Sequence, residues 1–332
     1  MITRVYITVD TENSMGGAWD DSSLRPVPSE RIIFCRRQGR DFGIGWMCGL
    51  LNERKLRATF FCETLAARVL GEADTRAYLE FLLEQGQDVQ LHAHPNYLHY
   101  AEYLQGAPAN KEDALAYLPL DHQRRVLSTA MELFERFTGC RPLVYRAGNF
   151  QGGPASLAIL RDLGFVIDSS YNPAYATAFD GHNLLLNVPQ FLNGVWELPF
   201  TVAHERFSES SAPRNLKYFD PAAMSCSEMR QVLEQAHRAH LTDVVVMLHS
   251  FSGVKRRDEQ YSSFRPDHIV RRRFAWLLDY LAANSARFTV TTMGEVALQL
   301  PFATPAAAPP LPELGWTRPF LRKLVQGVNR IL

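Results

Sequence analysis

Ionisable residues stand at or near the ends of five short apolar runs that read as β-strands. They are Asp10, His92, Arg146, Asp168 and His249. In a parallel barrel the carboxyl ends of the strands share one rim, and active sites are built there. Taken singly, each residue has a structural interpretation, such as a helix cap for Asp10 or a turn for Asp168. Together they predict one site of acid–base chemistry, because carboxylates and imidazoles are the usual groups that move protons.

His92 and His94 are separated by one residue at the end of the run DVQLHAH (88–94). Side chains at positions i and i+2 of a strand project from the same face, so both imidazoles could point at one object. Imidazole nitrogen is a preferred ligand of zinc, which makes a metal ion one candidate. The alternative is a structural pair whose ring nitrogens bond to backbone groups.

The elements that would position these residues alternate between strands and helices. Helical segments end at Gly139 and Gly164, and another begins with a capping box of Ser225 and Glu228. This alternation predicts an α/β fold, a distorted (β/α) barrel of seven or eight parallel strands that is similar to a TIM barrel. The predicted strands are 4–10, 57–62, 88–94, 143–147, 165–170, 195–200, 243–250 and 288–292. The aromatic-rich segments 96–122 and 171–194 lack periodicity and are predicted as insertions over one barrel face.

The barrel is predicted to span 1–300, followed by a Pro/Ala linker at 301–312 and a basic amphipathic tail at 313–332. The tail has apolar residues at helical spacing and no acidic residue after position 314. Such a helix can lie on an anionic membrane surface. The other interpretation is that the apolar face of this helix folds back on the barrel.

Composition limits the classes of partner and compartment. The 332 residues contain 35 basic and 35 acidic side chains, so no global charge attracts nucleic acid. The five cysteines are scattered, which favours reduced thiols, and no leader-like apolar segment or membrane-spanning run occurs. These features predict a cytoplasmic protein, peripheral at the inner membrane if the tail binds lipid.

Six short segments, in order, resemble the motifs of the polysaccharide deacetylase family, the NodB-homology domain of carbohydrate esterase family four. The resemblance covers about residues 1–300. The segments are TVDTEN (8–13), RATFF (57–61), GQDVQLHAHP (86–95), YRAGNF (145–150), IDSS (167–170) and VVMLHSFS (245–252).

The resemblance implies a hydrolase that removes an acetyl group from an N-acetylated sugar, with Zn²⁺ or another divalent ion as cofactor. By position, Asp10 would be the base, Arg146 would orient it, and His249 would be the acid. Asp168 would tune that histidine or form part of the groove. The implied metal ligands are His92, His94 and Glu12.

Two positions depart from the family pattern. The second aspartate of the first motif is replaced by Thr11, and Glu12 is the next carboxylate. The histidine expected four residues after His92 is Asn96. Either His94 takes over as ligand, or Asn96 ligates weakly, or the metal is weak or absent.

Aromatic faces suit pyranose rings, which makes Tyr171, Trp196 and Phe251 candidates for sugar contact, although core packing is the simpler role for any one of them. The predicted substrate is a sugar of a glycan, a glycan precursor or a lipid-linked glycan. A metal-independent, allantoinase-like amidohydrolase acting on a C–N bond is the second interpretation. A catalytically silent glycan-binding barrel is the third.

Overall fold

The computed structural model describes residues 2–205, 215–303 and 309–315. Its strands are β1 (Thr3–Thr11), β2 (Arg36–Arg37), β3 (Arg40–Asp41), β4 (Thr59–Glu63), β5 (Asp88–Ala93), β6 (Val144–Ala147), β7 (Ile167–Asp168), β8 (Gln190–Leu192), β9 (Val195–Glu197), β10 (Val202–Glu205), β11 (Leu216–Tyr218), β12 (Asp243–His249), β13 (Val254–Arg256), β14 (Phe264–Pro266), β15 (Phe288–Val290) and β16 (Glu313–Leu314). Its α-helices are α1 (Ser29–Ile32), α2 (Ile44–Glu53), α3 (Ala67–Leu70), α4 (Glu72–Glu84), α5 (Pro95–Tyr103), α6 (Leu120–Thr138), α7 (Pro154–Asp162), α8 (Cys226–Arg238), α9 (His268–Ala283) and α10 (Met293–Ala297).

A nine-stranded sheet forms the centre of the molecule. Its strands follow the order β12-β1-β4-β5-β6-β7-β9-β8, and β15 pairs with the start of β1. All of these pairs are parallel except that of β8 with β9, so eight strands run in one direction. The sheet curls into a half-barrel with helices packed outside it. This confirms the predicted α/β barrel class, and all eight predicted strands occur.

The long strands are apolar on both faces, as strands of a covered parallel sheet must be. One buried cluster joins the sheet to the outer helices. A second cluster includes Tyr6, Val144 and Met247 and fills the concave side. Each of these three lies two or four residues before a polar residue of the rim, namely Asp10, Arg146 or His249. Because side chains alternate along a strand, the polar residue points to the same concave face as the apolar one.

Irregular backbone crosses the gap between β9 and β12. Phe219 N donates to the carbonyl of Thr201 (2.8 Å), and Met247 N donates to the carbonyl of Phe219 (2.9 Å). The Thr201 hydroxyl also accepts from Val245 N at 2.8 Å. These bonds satisfy backbone groups that an open sheet edge would otherwise leave unpaired.

Helix ends follow the predicted signals. Gly139 ends α6 in the left-handed conformation (φ 69°), which glycine adopts without steric cost. The predicted capping box of Ser225 and Glu228 is present at the start of α8. Asp267, which was not predicted, caps α9 by accepting from the backbone of Ile269 and Val270.

The segment 96–122, predicted as an insertion, is helical in its first part, because Pro95 starts α5, which extends to Tyr103. The C-terminal division stays a prediction. Glu313 and Leu314, the first residues of the predicted tail, form β16 and pair with β10. The remainder of the tail (316–332) and part of the linker (304–308) lie outside the described residues. In the part of the chain that the structure describes, no helix combines the length and apolarity of a membrane span.

Candidate active site

The strand register gathers polar residues at the carboxyl end of the sheet. Asp10 on β1 is the direct partner of His249 on β12, and His92 on β5 is the direct partner of Arg146 on β6. Residues paired in register share one face of a sheet. The predicted base, acid, metal ligand and orienting arginine therefore all point into the concave side.

Glu12, His92 and His94 form a cluster of ligand atoms within 4.8 Å of one another. Glu12 Oε2 lies 3.0 Å from His92 Nε2 and 2.7 Å from His94 Nε2. Among the described residues, this is the one group of three or more His, Cys, Asp or Glu side chains with such spacing. Two imidazoles and a carboxylate are the donor set of many catalytic zinc sites, which leave a further position open.

The far side of each imidazole is held by an oxygen acceptor. His92 Nδ1 donates to the carbonyl of Arg146 (2.9 Å), and His94 Nδ1 donates to Asp113 Oδ2 (2.7 Å). Such bonds fix the ring so that Nε2 faces the metal position, which is the usual arrangement around a ligating histidine. The residues present therefore fit a divalent ion.

Charge attraction and hydrogen bonds together shift the pKa values of Glu12 and His94 more than burial does. Burial alone would raise the pKa of Glu12, but the charge of His94 and hydrogen bonds from both histidines hold it well below its usual range. Burial would lower the pKa of His94, but Asp113 and Glu12 raise it well above the ordinary value. Glu63, which accepts from the backbone N–H groups of Leu65 and His94, has its pKa raised to about 7 by burial.

Asp10 and Arg146 form a buried ion pair beside this cluster, with Arg146 Nη1 donating to Asp10 Oδ1 at 2.6 Å. The guanidinium also donates to the Thr8 hydroxyl and to the carbonyl and hydroxyl of Ser169. Burial lowers the pKa of Arg146, against the attraction of Asp10. A carboxylate held in this way keeps one orientation, as a general base requires.

The Arg146 guanidinium lies between two aromatic rings, with its carbon 4.0 Å from the centroid of Phe61 and 4.4 Å from that of Phe200. Contacts of this kind are cation–π interactions, which strengthen when the cation is desolvated. The rings also exclude water from the ion pair.

His249 completes the rim. Its Nε2 lies 3.7 Å from Glu12 Oε1, and its ring stacks on Phe251 with centroids 4.8 Å apart. Burial raises the pKa of Asp220 to about 6, against a hydrogen bond from the backbone of Ala222 and the charge of His249. The side chain of His249 is 30% exposed, so a substrate can reach it.

A cavity of about 510 Å³ opens onto the cluster. Its lining residues are Glu12, Asn13, Ser14, Met15, Ile32, His94, Asn96, Tyr97, Asp113, Phe251, Arg256 and Tyr261. The Asn96 Oδ1 atom is buried and, within the part of the chain that the structure describes, has no hydrogen-bond partner. A bound group that donates a hydrogen bond would satisfy it.

Several solved structures are similar to this chain. A protein from Mycobacterium smegmatis, provisionally named a polysaccharide deacetylase, matches with a TM-score of 0.53 and 17% identity, over 93% of this chain and 95% of that chain. A probable polysaccharide deacetylase from Pseudomonas aeruginosa PAO1 matches at 0.51 and 12%, over 89% and 90%. PuuE allantoinase matches at 0.50 and 12%, over 89% of both chains.

The chain has the polysaccharide deacetylase fold. No family model matches it, and no curated protein matches it. Identities of 17% or less establish the architecture alone. The predicted resemblance is thus confirmed for the fold. The activity has to be inferred from the residues of the site.

Asp168 is not placed as expected. It is the register partner of Tyr145, the neighbour of Arg146 along β6, so its side chain lies on the opposite face of the sheet from the rim residues. Its carboxyl accepts from the Ser170 hydroxyl and pairs with Glu197. Burial raises the pKa of Asp168 to about 6 and that of Glu197 well above its ordinary value.

The predicted aromatic contacts separate into two groups. Phe251 lines the cavity, as expected. Tyr171 is buried and packs on Phe179 instead. Trp196 packs on Phe302, and Phe302 also contacts Arg4 near the start of β1. Trp196 therefore lies towards the amino-terminal end of the barrel strands. Strand alternation places Trp196 inside the barrel, and its position before the strand end keeps it away from the rim.

Three acidic residues of the site were missed by the sequence analysis. Glu63 follows the predicted strand by one residue and alternates with Phe61, so extending the strand would have found it. Asp113 and Asp220 lie in irregular segments, and no local pattern distinguishes them from other loop carboxylates.

Asp113→Asn is expected to weaken zinc binding about 10- to 100-fold, because the ring of His94 loses its charged acceptor. Zinc affinity is measured by competition with a chelating dye. Asp20→Asn, which changes an exposed carboxylate paired with Lys111, is the matched control and should leave affinity unchanged. Equal zinc affinity in both variants would contradict a role for Asp113 in holding His94.

Proposed function

We propose that the protein is a metal-dependent hydrolase that removes the acetyl group from an N-acetylated sugar. The observation that carries the proposal is the Glu12, His92 and His94 cluster beside the buried pair of Asp10 and Arg146. The similarity of fold to proteins named polysaccharide deacetylases supports it.

The metal site would be held by His92, His94 and Glu12. A divalent ion such as Zn²⁺ would polarise the acetamide carbonyl and favour loss of a proton from water. His94 takes the place of the histidine expected at position 96, because it shares a face with His92 and its ring is held by Asp113.

The proton transfers fall to two residues on neighbouring strands. Asp10 takes a proton from the attacking water as a bond forms to the acetamide carbon. His249 then donates a proton to the nitrogen as the C–N bond breaks, which yields acetate and an amine. Arg146 orients the Asp10 carboxylate through the hydrogen bond that it donates to Oδ1.

The first test is metal binding. The protein is stripped with a chelator and reloaded with Zn²⁺, and bound metal is measured for the wild type, His92→Ala and His94→Ala. We expect about one ion per chain in the wild type and loss of binding in both variants. His268→Ala, an exposed histidine at the start of α9, is the control and should retain the ion.

Acetate release from a panel of N-acetylated sugars then tests the reaction. Zinc should restore activity to the stripped protein, and the two ligand variants should remain inactive. A wild type that binds no zinc, or that releases no acetate from any sugar of the panel, would contradict the proposal.

A second candidate is a metal-independent amidohydrolase acting on another C–N bond. The altered ligand positions, Glu12 and Asn96, are the observation that favours it. Hydrolysis of allantoin by chelator-treated protein, with no gain on adding zinc, would support this candidate over the deacetylase.

A further inference from the structure

We propose that Arg256, Tyr261 and Phe251 form a subsite for an anionic group of the substrate. This inference rests on the proposed deacetylase function and narrows its substrate class. The substrate is an N-acetylated sugar that carries a carboxylate or a phosphate. The carboxylate is planar and the phosphate is tetrahedral, but each presents two oxygens that a guanidinium can bind through two parallel hydrogen bonds.

The cavity that opens onto the histidine cluster is also lined by a cation. Glu12, His94 and Asp113 line it at the proposed metal site, and Arg256 lines the same cavity. The guanidinium of Arg256 attracts a negatively charged substituent of the substrate. In the proposed binding mode, the acetamide of an acidic sugar lies towards His94 and its charge lies towards Arg256.

An aromatic wall connects the predicted acid to this cation. The ring of His249 stacks on Phe251, and the centroid of Phe251 lies 5.8 Å from that of Tyr261. The guanidinium carbon of Arg256 lies 5.8 Å from the Tyr261 centroid. A pyranose ring resting on aromatic faces of this kind would place its acetamide near His249 and a distal substituent near Arg256.

The loop that carries Tyr261 is held rigidly. Tyr261 has a positive φ of 52°, which is uncommon for a residue with a bulky side chain. Asp258 accepts hydrogen bonds from the backbone of Ser262 and Ser263 and so closes the turn. Gln260 donates to the carbonyl of Gly16, which anchors the loop to the segment after β1. Strained backbone of this kind persists where surrounding contacts impose it, and it is concentrated at binding sites.

Arg256 is available for a ligand. It is exposed at the end of β13, and within the described residues no carboxylate lies within 4.0 Å of its guanidinium. Its neighbour Lys255, by contrast, pairs with Asp267 at 3.7 Å. An incoming anion at Arg256 therefore does not have to displace an ion-pair partner.

The test is a comparison of binding for three sugars by titration calorimetry. The probes are neutral N-acetylglucosamine, N-acetylglucosamine 1-phosphate and N-acetylmuramic acid, which carries a carboxylate. The variants are Arg256→Gln and Arg257→Gln. The second is the control, because Arg257 is the adjacent exposed arginine and does not line the cavity.

We expect at least one acidic sugar to bind the wild type about tenfold more tightly than the neutral sugar. This preference should disappear in Arg256→Gln and persist in Arg257→Gln. Preference for the phosphate alone or for the carboxylate alone identifies which anion the subsite takes. Equal affinity for all three sugars, no binding of any of them, or a preference that survives Arg256→Gln would overturn the proposal.

Binding and turnover separate the two proposals. Arg256-dependent binding of an acidic sugar without acetate release would remove the deacetylase function and leave the anion subsite in place. A second outcome is zinc-dependent acetate release from neutral sugars at the same rate as from acidic ones, with no change in Arg256→Gln. This outcome would support the deacetylase function and remove the anion subsite.

Discussion

Asp10→Asn is expected to lower acetate release by about 10²- to 10⁴-fold, while bound zinc stays near one ion per chain. The reason is that the amide cannot accept a proton from water, although it keeps the shape of the carboxylate. Asp10 is outside the cluster of Glu12, His92 and His94, so its loss should leave the metal ligands intact. The measurement pairs acetate release with metal content on the same preparation.

The contrast with the ligand variants makes the result specific. His92→Ala should lose metal and activity together, whereas Asp10→Asn should lose activity alone. Loss of zinc in Asp10→Asn would make Asp10 a ligand, and activity within tenfold of the wild type would mean that another group is the base. Circular dichroism on each variant shows whether the fold persists, because Asp10 also neutralises Arg146.

Arg146→Met is expected to destabilise the protein by about 3–5 kcal/mol, because it leaves the buried Asp10 carboxylate without its counter-charge. The arginine side chain is fully buried and that of Asp10 is 3% exposed, so water cannot replace the lost partner. The free energy of unfolding is measured by urea denaturation.

Arg57→Met is the matched control for this prediction. Arg57 pairs with Glu295 at 2.7 Å, but both side chains are nearly half exposed, so the same substitution should cost no more than about 1 kcal/mol. The double variant Asp10→Asn with Arg146→Met should be more stable than Arg146→Met alone, since no unpaired charge then remains. Equal stability of the two would show that Asp10 is not the group that Arg146 neutralises.

Much of the rim could be predicted from the chain, because strand geometry is local. The two-residue repeat of a strand brings His92 and His94 to one face and keeps Glu12 on the face of Asp10. Glycine caps and the capping box were readable for a similar reason, since their hydrogen bonds join residues a few positions apart. These are short-range constraints, and the barrel class follows from their alternation.

The same periodicity explains the error at Asp168. A shift of one residue at a strand end moves a side chain to the other face of the sheet. The strand β7 contains only Ile167 and Asp168, so its sequence offers too little alternation to define which face is buried. Its pairing with β6, a tertiary feature, decides that Asp168 points away from the rim.

The amino-acid sequence by itself determined the order of strands and helices, the apolar faces and the polar residues that end the strands. Only the tertiary structure decided which distant groups meet them. Asp113 reaches His94 from a loop, and Arg256 reaches the cavity from the end of β13, and the positions of both segments depend on packing rather than on local pattern. The physical reason is that side-chain alternation acts over two residues, whereas the contacts that complete this site join segments as far apart as β1 and the hairpin at Arg256.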